Sequence, residues 1–146
     1  MRNISFKGML AIGEEDRIKL STMQGRIGYR IVKFLTIAKT AGAEDSTSVC
    51  TIYKTEGLLK NITTIDLTNP NILAIAYKKN GNGGQDTDSD TIISDLEVFN
   101  QDIFITAGSP AGDTQPVSYY LELEQIKLSD IESTQLTLNN IRTITA

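Results

Sequence analysis

The chain of 146 residues has no histidine, no tryptophan, a single cysteine and three prolines. Each shortage removes a class of chemistry. Without histidine, neither a serine nor a thiol nucleophile has its usual imidazole base. A lone Cys50 excludes an internal disulfide, and with no histidine a zinc site of nitrogen and sulfur ligands cannot be assembled. No apolar run approaches the roughly 18 residues of a membrane-spanning helix. The opening "MRNISFKGMLAIGEED" lacks the uninterrupted apolar core and small-residue cleavage site of a secretory signal, so the expectation is a soluble protein made in the cytoplasm. Basic residues are too few for a general nucleic-acid binder: the net charge is −4, and phosphate affinity rests on clustered Lys and Arg. "GNGG" precedes no Lys-Ser/Thr pair and so is not a phosphate-cradling loop.

What remains is an ordinary globular composition, 40% hydrophobic and 22% charged. A chain of this length forms one domain, 1–146, that buries roughly 68–70% of its unfolded surface without staples. Its charges are uneven: residues 1–60 hold 10 basic and 6 acidic side chains, net +4, while residues 61–146 hold 4 and 12, net −8. Where strands from the two halves interleave, that asymmetry is spread over solvated loops. Where it is not, it draws subunits or a charged partner together.

Short runs of period two, rich in Ile, Val, Thr, Tyr and Phe and broken by Gly, Asn, Asp and Pro, predict an all-β fold. The architecture expected is a single antiparallel β-sandwich, with a jelly-roll-like order as one form of it, ending in a short C-terminal helix or arm over 129–146. "ISFKGMLAIG" and "DRIKLSTMQG" read as the first strands, the second turning Ile18 and Leu20 inward and Arg17, Lys19 and Ser21 outward. "GYRIVKFLTIA" is apolar on both sides, with Tyr29, Ile31, Leu35 and Ile37 on one and Val32, Phe34 and Ala38 on the other, as in a central strand covered twice. In "STSVCTIYKTE", Val49, Thr51 and Tyr53 oppose Cys50 and Ile52, which makes Cys50 a small core residue. Asn69 and Pro70 suit a short helical turn entering a strand. "GNGGQDTDSD" reads as a loop, and "AGSPAGDTQP" as a hairpin connection to "PVSYYLELEQIKLSD". Ser129 and Glu132 form a capping box ahead of Ile131, Leu138 and Ile141.

Three groups invite a functional reading. In "EVFNQDIFITAG", Leu96 and Val98 are inward on even positions whereas Phe99, Gln101, Ile103 and Ile105 fall on odd ones. A bulge near Asn100 accounts for that slip and for the polar Asn100-Gln101-Asp102, whose amides can satisfy backbone groups left unpaired. Asp86, Asp88, Asp90 and Glu97 match positions 1, 3, 5 and 12 of a calcium loop, but Thr91 stands where its glycine belongs and the flanks read as strands. A solvated acidic loop is the expectation, with no cofactor or metal; a calcium- or glycan-binding module is the alternative from another class. Glu122 and Glu124 share a strand face, as paired glycosidase carboxylates would. Val117, Tyr119, Leu121 and Leu123 take the alternate positions, so Ser118, Tyr120, Glu122 and Glu124 form the outer face, where Tyr120 beside carboxylates suits an interface. No catalytic centre emerges, and the expectation is a protein that is not an enzyme.

Five stretches taken together resemble a family of small virion structural proteins encoded by marine tailed phages: "GYRIVKF" (28–34), "VCTIYKTE" (49–56), "NPNILAIAY" (69–77), "VFNQDIFIT" (98–106) and "YYLELEQIKLSDIESTQLTLNNIR" (119–142). Each alone is a packing pattern; their order along most of the chain carries the likeness. The resemblance implies a β-rich component of the bacteriophage virion, on the capsid exterior, working as a decoration or cement protein that stabilises the assembled head. A tail, baseplate or fibre component contacting the host is the alternative. Implied partners are the major capsid protein or other virion proteins and further copies of the chain in a homo-oligomer on the particle, with neither nucleic acid nor membrane. The interface candidates are Tyr120, Glu122, Glu124, Ile131, Leu138 and Ile141. Loop 80–95 departs from the family pattern, so no ligand role transfers to it.

Overall fold

The computed structural model describes residues 2–20, 26–39, 46–54, 67–68, 70–80, 88–94, 96–109, 116–129, 131–132 and 134–138. Among the described residues eight strands follow one another: β1 (Arg2–Leu10), β2 (Glu15–Ile18), β3 (Ile27–Ala38), β4 (Ser46–Tyr53), β5 (Ile72–Asn80), β6 (Asp88–Ile93), β7 (Ile103–Gly108) and β8 (Val117–Lys127). Residues 131–132 and 134–138 are helical and are called α1 below. The strands form two antiparallel sheets, one ordered β1-β8-β3 and the other β2-β7-β4-β5-β6. The all-β sandwich expected from the alternating pattern is therefore what forms.

Pairing β1 with β8, β2 with β7 and β4 with β5 nests the chain as a two-stranded ribbon rolled into a sandwich, the wrap of a jelly roll. The roll is incomplete at one pair. β6 hydrogen-bonds β5 and lies against β3 without joining its sheet, so the two sheets do not close into a barrel.

The core sits between the sheets. Leu121 and Leu123 of β8, with Ile31 and Phe34 of β3, meet Cys50 and Ile52 of β4, Ala74 and Ala76 of β5, and Ile103 and Ile105 of β7. Val117, Tyr119, Leu121 and Leu123 all point inward, as the period-two reading of β8 requires. Ile18 and Leu20 are buried and Arg17 and Lys19 exposed, again as read. A second apolar cluster, Val49, Tyr53, Ile72 and Ile75 with Tyr77 against it, lies on the opposite face of β4 and β5. β4 and β5 are thus buried on both faces, as is β7, whose residues from Ile103 to Gly108 are all buried.

β3 is not a central strand. It is the edge of the three-stranded sheet, and a bulge between Ile31 and Lys33 inserts Val32 without a partner on β8. The extra residue shifts the phase, so Tyr29 and Ile31 before it and Phe34 and Ala38 after it all face the core. Leu35 and Ile37, expected inside with Tyr29 and Ile31, are turned out and stand 50% and 52% exposed.

Other expectations are corrected by the path of the chain. Residues 70–71 form a turn and no helix before β5; Asn69 lies outside the described residues. The acidic loop does not extend to Asp90, because β6 begins at Asp88. β7 and β8 lie in different sheets, so they do not pair as a hairpin. Instead of a bulge within one strand near Asn100, the chain changes sheet there. Phe99 makes an isolated two-hydrogen-bond bridge with Tyr29 of β3, at 2.7 and 2.9 Å, and β7 of the other sheet starts at Ile103. Leu96, expected inward, is 88% exposed.

Candidate interaction surface

The polar cluster at the sheet change is structural. Asp102 is buried; its Oδ1 accepts from the Leu20 backbone N–H at 2.7 Å and its Oδ2 from Arg17 Nε at 2.8 Å, with an Arg17 terminal nitrogen at 2.6 Å. A buried donor left unpaired costs about 1–3 kcal/mol, which Asp102 avoids for Leu20 while tying β2 to β7. Asn100, also buried, donates from Nδ2 to Thr137 Oγ1 at 3.2 Å and so holds α1 to the body. Beneath that helix is a pocket of about 300 Å³ lined by Lys54, Glu97, Phe99, Asn100 and Leu136. Lys54 and Glu97 pair with each other there.

Of the calcium-pattern residues, the structure describes the positions of Asp88, Asp90 and Glu97. Asp88 and Asp90 lie along strand β6, where Asp90 opposes Tyr77, and Glu97 is engaged by Lys54; Asp86 lies outside the described residues. No cluster of three metal-ligating side chains occurs among the described residues, and no helix among them is long and apolar enough to cross a membrane. Cys50 is sunk in the core, and burial pushes its thiol up to about 12, away from nucleophilic use.

The outer face of the β1-β8-β3 sheet presents four rows in register. They are Met9-Ser118-Ile37, Lys7-Tyr120-Leu35, Ser5-Glu122-Lys33 and Asn3-Glu124-Arg30. Glu122 and Glu124 share this face as read, but they are not an equivalent pair. Glu124 is buried, and its Oε2 accepts from both Nε and a terminal nitrogen of Arg30 at 3.1 and 2.6 Å. It is therefore a cross-strand tie and not an exposed interface residue, which corrects its place among the interface candidates. Glu122 accepts from Asn3 Nδ2 at 3.5 Å.

The other end of the face is apolar and open. Met9 is 51% exposed, joining the half-exposed Leu35 and Ile37 around Tyr120. There, where β3 comes against β5 and β6, a groove of about 440 Å³ runs between Leu35, Ile37 and Tyr120 on one side and Tyr77 on the other, with Lys7 and Lys78 lining it as well. At the opposite end of β8, α1 begins with the predicted capping box: Glu132 N–H donates to Ser129 Oγ at 3.2 Å and Ser129 N–H to Glu132 Oε1 at 3.4 Å. Ile131 and Leu138 on that helix are 72% and 48% exposed, and Ile141 lies outside the described residues.

Of the interface candidates named from the sequence, Tyr120 lines the groove and Ile131 and Leu138 stand exposed on α1, whereas Leu35, Ile37, Tyr77, Lys7 and Lys78 were not named. Leu35 and Ile37 were hidden by the Val32 bulge; the other three carry no local signal, since the approach of β3 to β5 and β6 brings them together. No protein-family model, no curated protein and no solved structure matches the chain.

Proposed function

We propose that this chain is a structural protein of a tailed-phage virion, a decoration or cement subunit that binds the assembled head and bridges neighbouring copies of the major capsid protein. The observation that carries the reading is the open apolar end of the β1-β8-β3 face. Met9, Leu35 and Ile37 stand half exposed around Tyr120, while the second sheet has buried clusters on both of its faces. Contiguous apolar surface rimmed by polar residues marks a site of protein association, and tyrosine is enriched at such sites. The resemblance of the ordered run of motifs to marine phage structural proteins suggests the kind of partner. A jelly-roll-like wrap agrees with that reading without deciding it, since one fold hosts many functions.

The mechanism is linkage. A subunit that binds the closed shell and not dispersed capsid subunits stabilises the shell by mass action, in proportion to the logarithm of its free concentration over its dissociation constant. The tail from Ser129 and the N-terminal strand β1, which is an edge of the open face, are the docking segments. Deleting residues 129–146 is expected to abolish co-sedimentation with purified particles, whereas unchanged incorporation would overturn the assignment. Counting copies per particle by quantitative mass spectrometry separates the locations: hundreds place the protein on the head, and about a dozen or fewer on the tail.

A further inference from the structure

The structure leaves two apolar patches open, and they lie at opposite ends of the same strand. Leu35, Ile37 and Tyr120 border the groove near the start of β8, beside Ser118 and Tyr119. Helix α1 follows the other end, past Lys127. At about 3.3 Å per strand residue, the seven steps from Tyr120 to Lys127 separate them by roughly 23 Å. Asn100 and the packing of Leu136 over the pocket beside Phe99 fix the helix at that far end. A chain therefore cannot lay its own helix into its own groove.

The patches are both apolar and carry opposite charges. Ile131 and Leu138 are seven residues apart, so at 3.6 residues per turn they fall within about 20° of one another on the helix surface. This is the spacing of anchors that seat a helix in an apolar groove. Their side of the helix is exposed, whereas Leu136 and Thr137 face the body of the protein. The groove is lined by the cations Lys7 and Lys78, and the exposed carboxylate Glu132 stands beside Ile131.

We infer that α1 of one copy docks, through Ile131 and Leu138, into the Leu35-Ile37-Tyr120 groove of a second copy, in a head-to-tail contact. The inference rests on the reading of the chain as an assembly part and names one of its partners as itself. Such a contact is heterologous: every open series keeps one groove and one helix unfilled, at its two ends, until a ring closes or a lattice ends it. The anchors are few, so association is weak between free molecules and gains strength when many copies are held side by side on a shell.

The test uses the full-length protein in sedimentation velocity over a concentration series. The wild type is expected to show a weight-average sedimentation coefficient that rises with concentration and falls back in high salt, as the Lys7, Lys78 and Glu132 charges are screened. A groove variant, Leu35→Glu with Ile37→Glu, and a helix variant, Ile131→Glu with Leu138→Glu, are each expected to weaken association at least roughly tenfold, the loss of a hot-spot anchor. Mixed together they are expected to recover it but to stop at a dimer, because one intact groove and one intact helix remain. That recovery also shows both variants to be folded. A wild type that stays monomeric throughout, a helix variant that still associates alone, or a mixture that fails to recover would overturn the inference. Particle co-sedimentation is read in parallel. Particle binding by a wild type that does not self-associate sinks the self-contact alone, and self-association without particle binding sinks the virion reading alone.

Discussion

Gly8 faces Tyr119 across the β1-β8 pair, and a Cβ at that position would meet Tyr119 Oη at 2.6 Å and Cζ at 2.8 Å. The ring cannot swing aside freely, since its hydroxyl donates to Asp16 Oδ2 at 3.0 Å and so links β8 to β2 of the other sheet. Glycine inside this strand thus reflects the close approach of a side chain. Gly8→Ala is expected to destabilise the fold by about 1–3 kcal/mol, the usual cost of overpacking. The check is a double-mutant cycle with Tyr119→Ala by urea unfolding. The two changes share one space, so their effects should fall short of additive by about 0.5–3 kcal/mol. Strict additivity would mean that the contact does not carry the cost. Asp102 shows a second lesson at this scale. Its sequence neighbours suggested a kink filled by amides, whereas the carboxylate shares the buried work with Asn100, through Leu20 and Arg17 far away in the chain.

Among elements, β3 and α1 contrast in how locally they are determined. α1 starts where its sequence says, because a capping box closes between Ser129 and Glu132 using groups only three residues apart. Ser129→Ala removes the acceptor for an N-terminal helix donor and is expected to cost about 0.5–2 kcal/mol of local helix stability. The measurable result is faster amide hydrogen exchange across 131–138 with little change in the protection of β8, because a peripheral helix opens apart from the core. Equal loss of protection in both would show that α1 and the sheet unfold as one unit. β3, by contrast, could not be read from its own residues. Its apolar pattern on both sides looked like double burial, yet it records a phase change at Val32 on an edge strand. Strands that are buried twice include β4, whose alternation of Val49, Thr51 and Tyr53 against Cys50 and Ile52 looked like an ordinary strand pattern, with β5 and β7 beside it.

For the whole molecule, two buried acids tie stability to alkaline pH. Burial lifts the Cys50 thiol from 9.0 to about 12. Burial, with the hydrogen bond to Asp16 and its negative charge, lifts the Tyr119 phenol above its ordinary 10.0. In each case the folded chain holds a proton that the unfolded chain releases more readily. The stabilisation is complete below the unfolded pKa and drains away as pH rises through that value toward the folded one. The urea midpoint is therefore expected to hold near pH 8 and to decline from about pH 9 upward, with a shallower decline in Cys50→Ala. A decline unchanged in that variant would remove Cys50 from the account. The same core burial explains why the one thiol offers no reactive handle on the folded protein.

By itself the sequence determined what depends on neighbours a few residues away. The period-two alternation marked the strands, the capping box marked the helix start, and Leu121 and Leu123 were placed in the core beside an outward Tyr120. Tertiary structure decided whatever requires knowing what lies opposite. It determined that Leu35 and Ile37 face water, that Glu124 is buried against Arg30, and that Lys7, Tyr77 and Lys78 meet around one groove. The physical reason is that alternation is a property of a single strand, whereas one inserted residue reverses its faces. Which face is then covered depends on a second sheet assembled from distant parts of the chain.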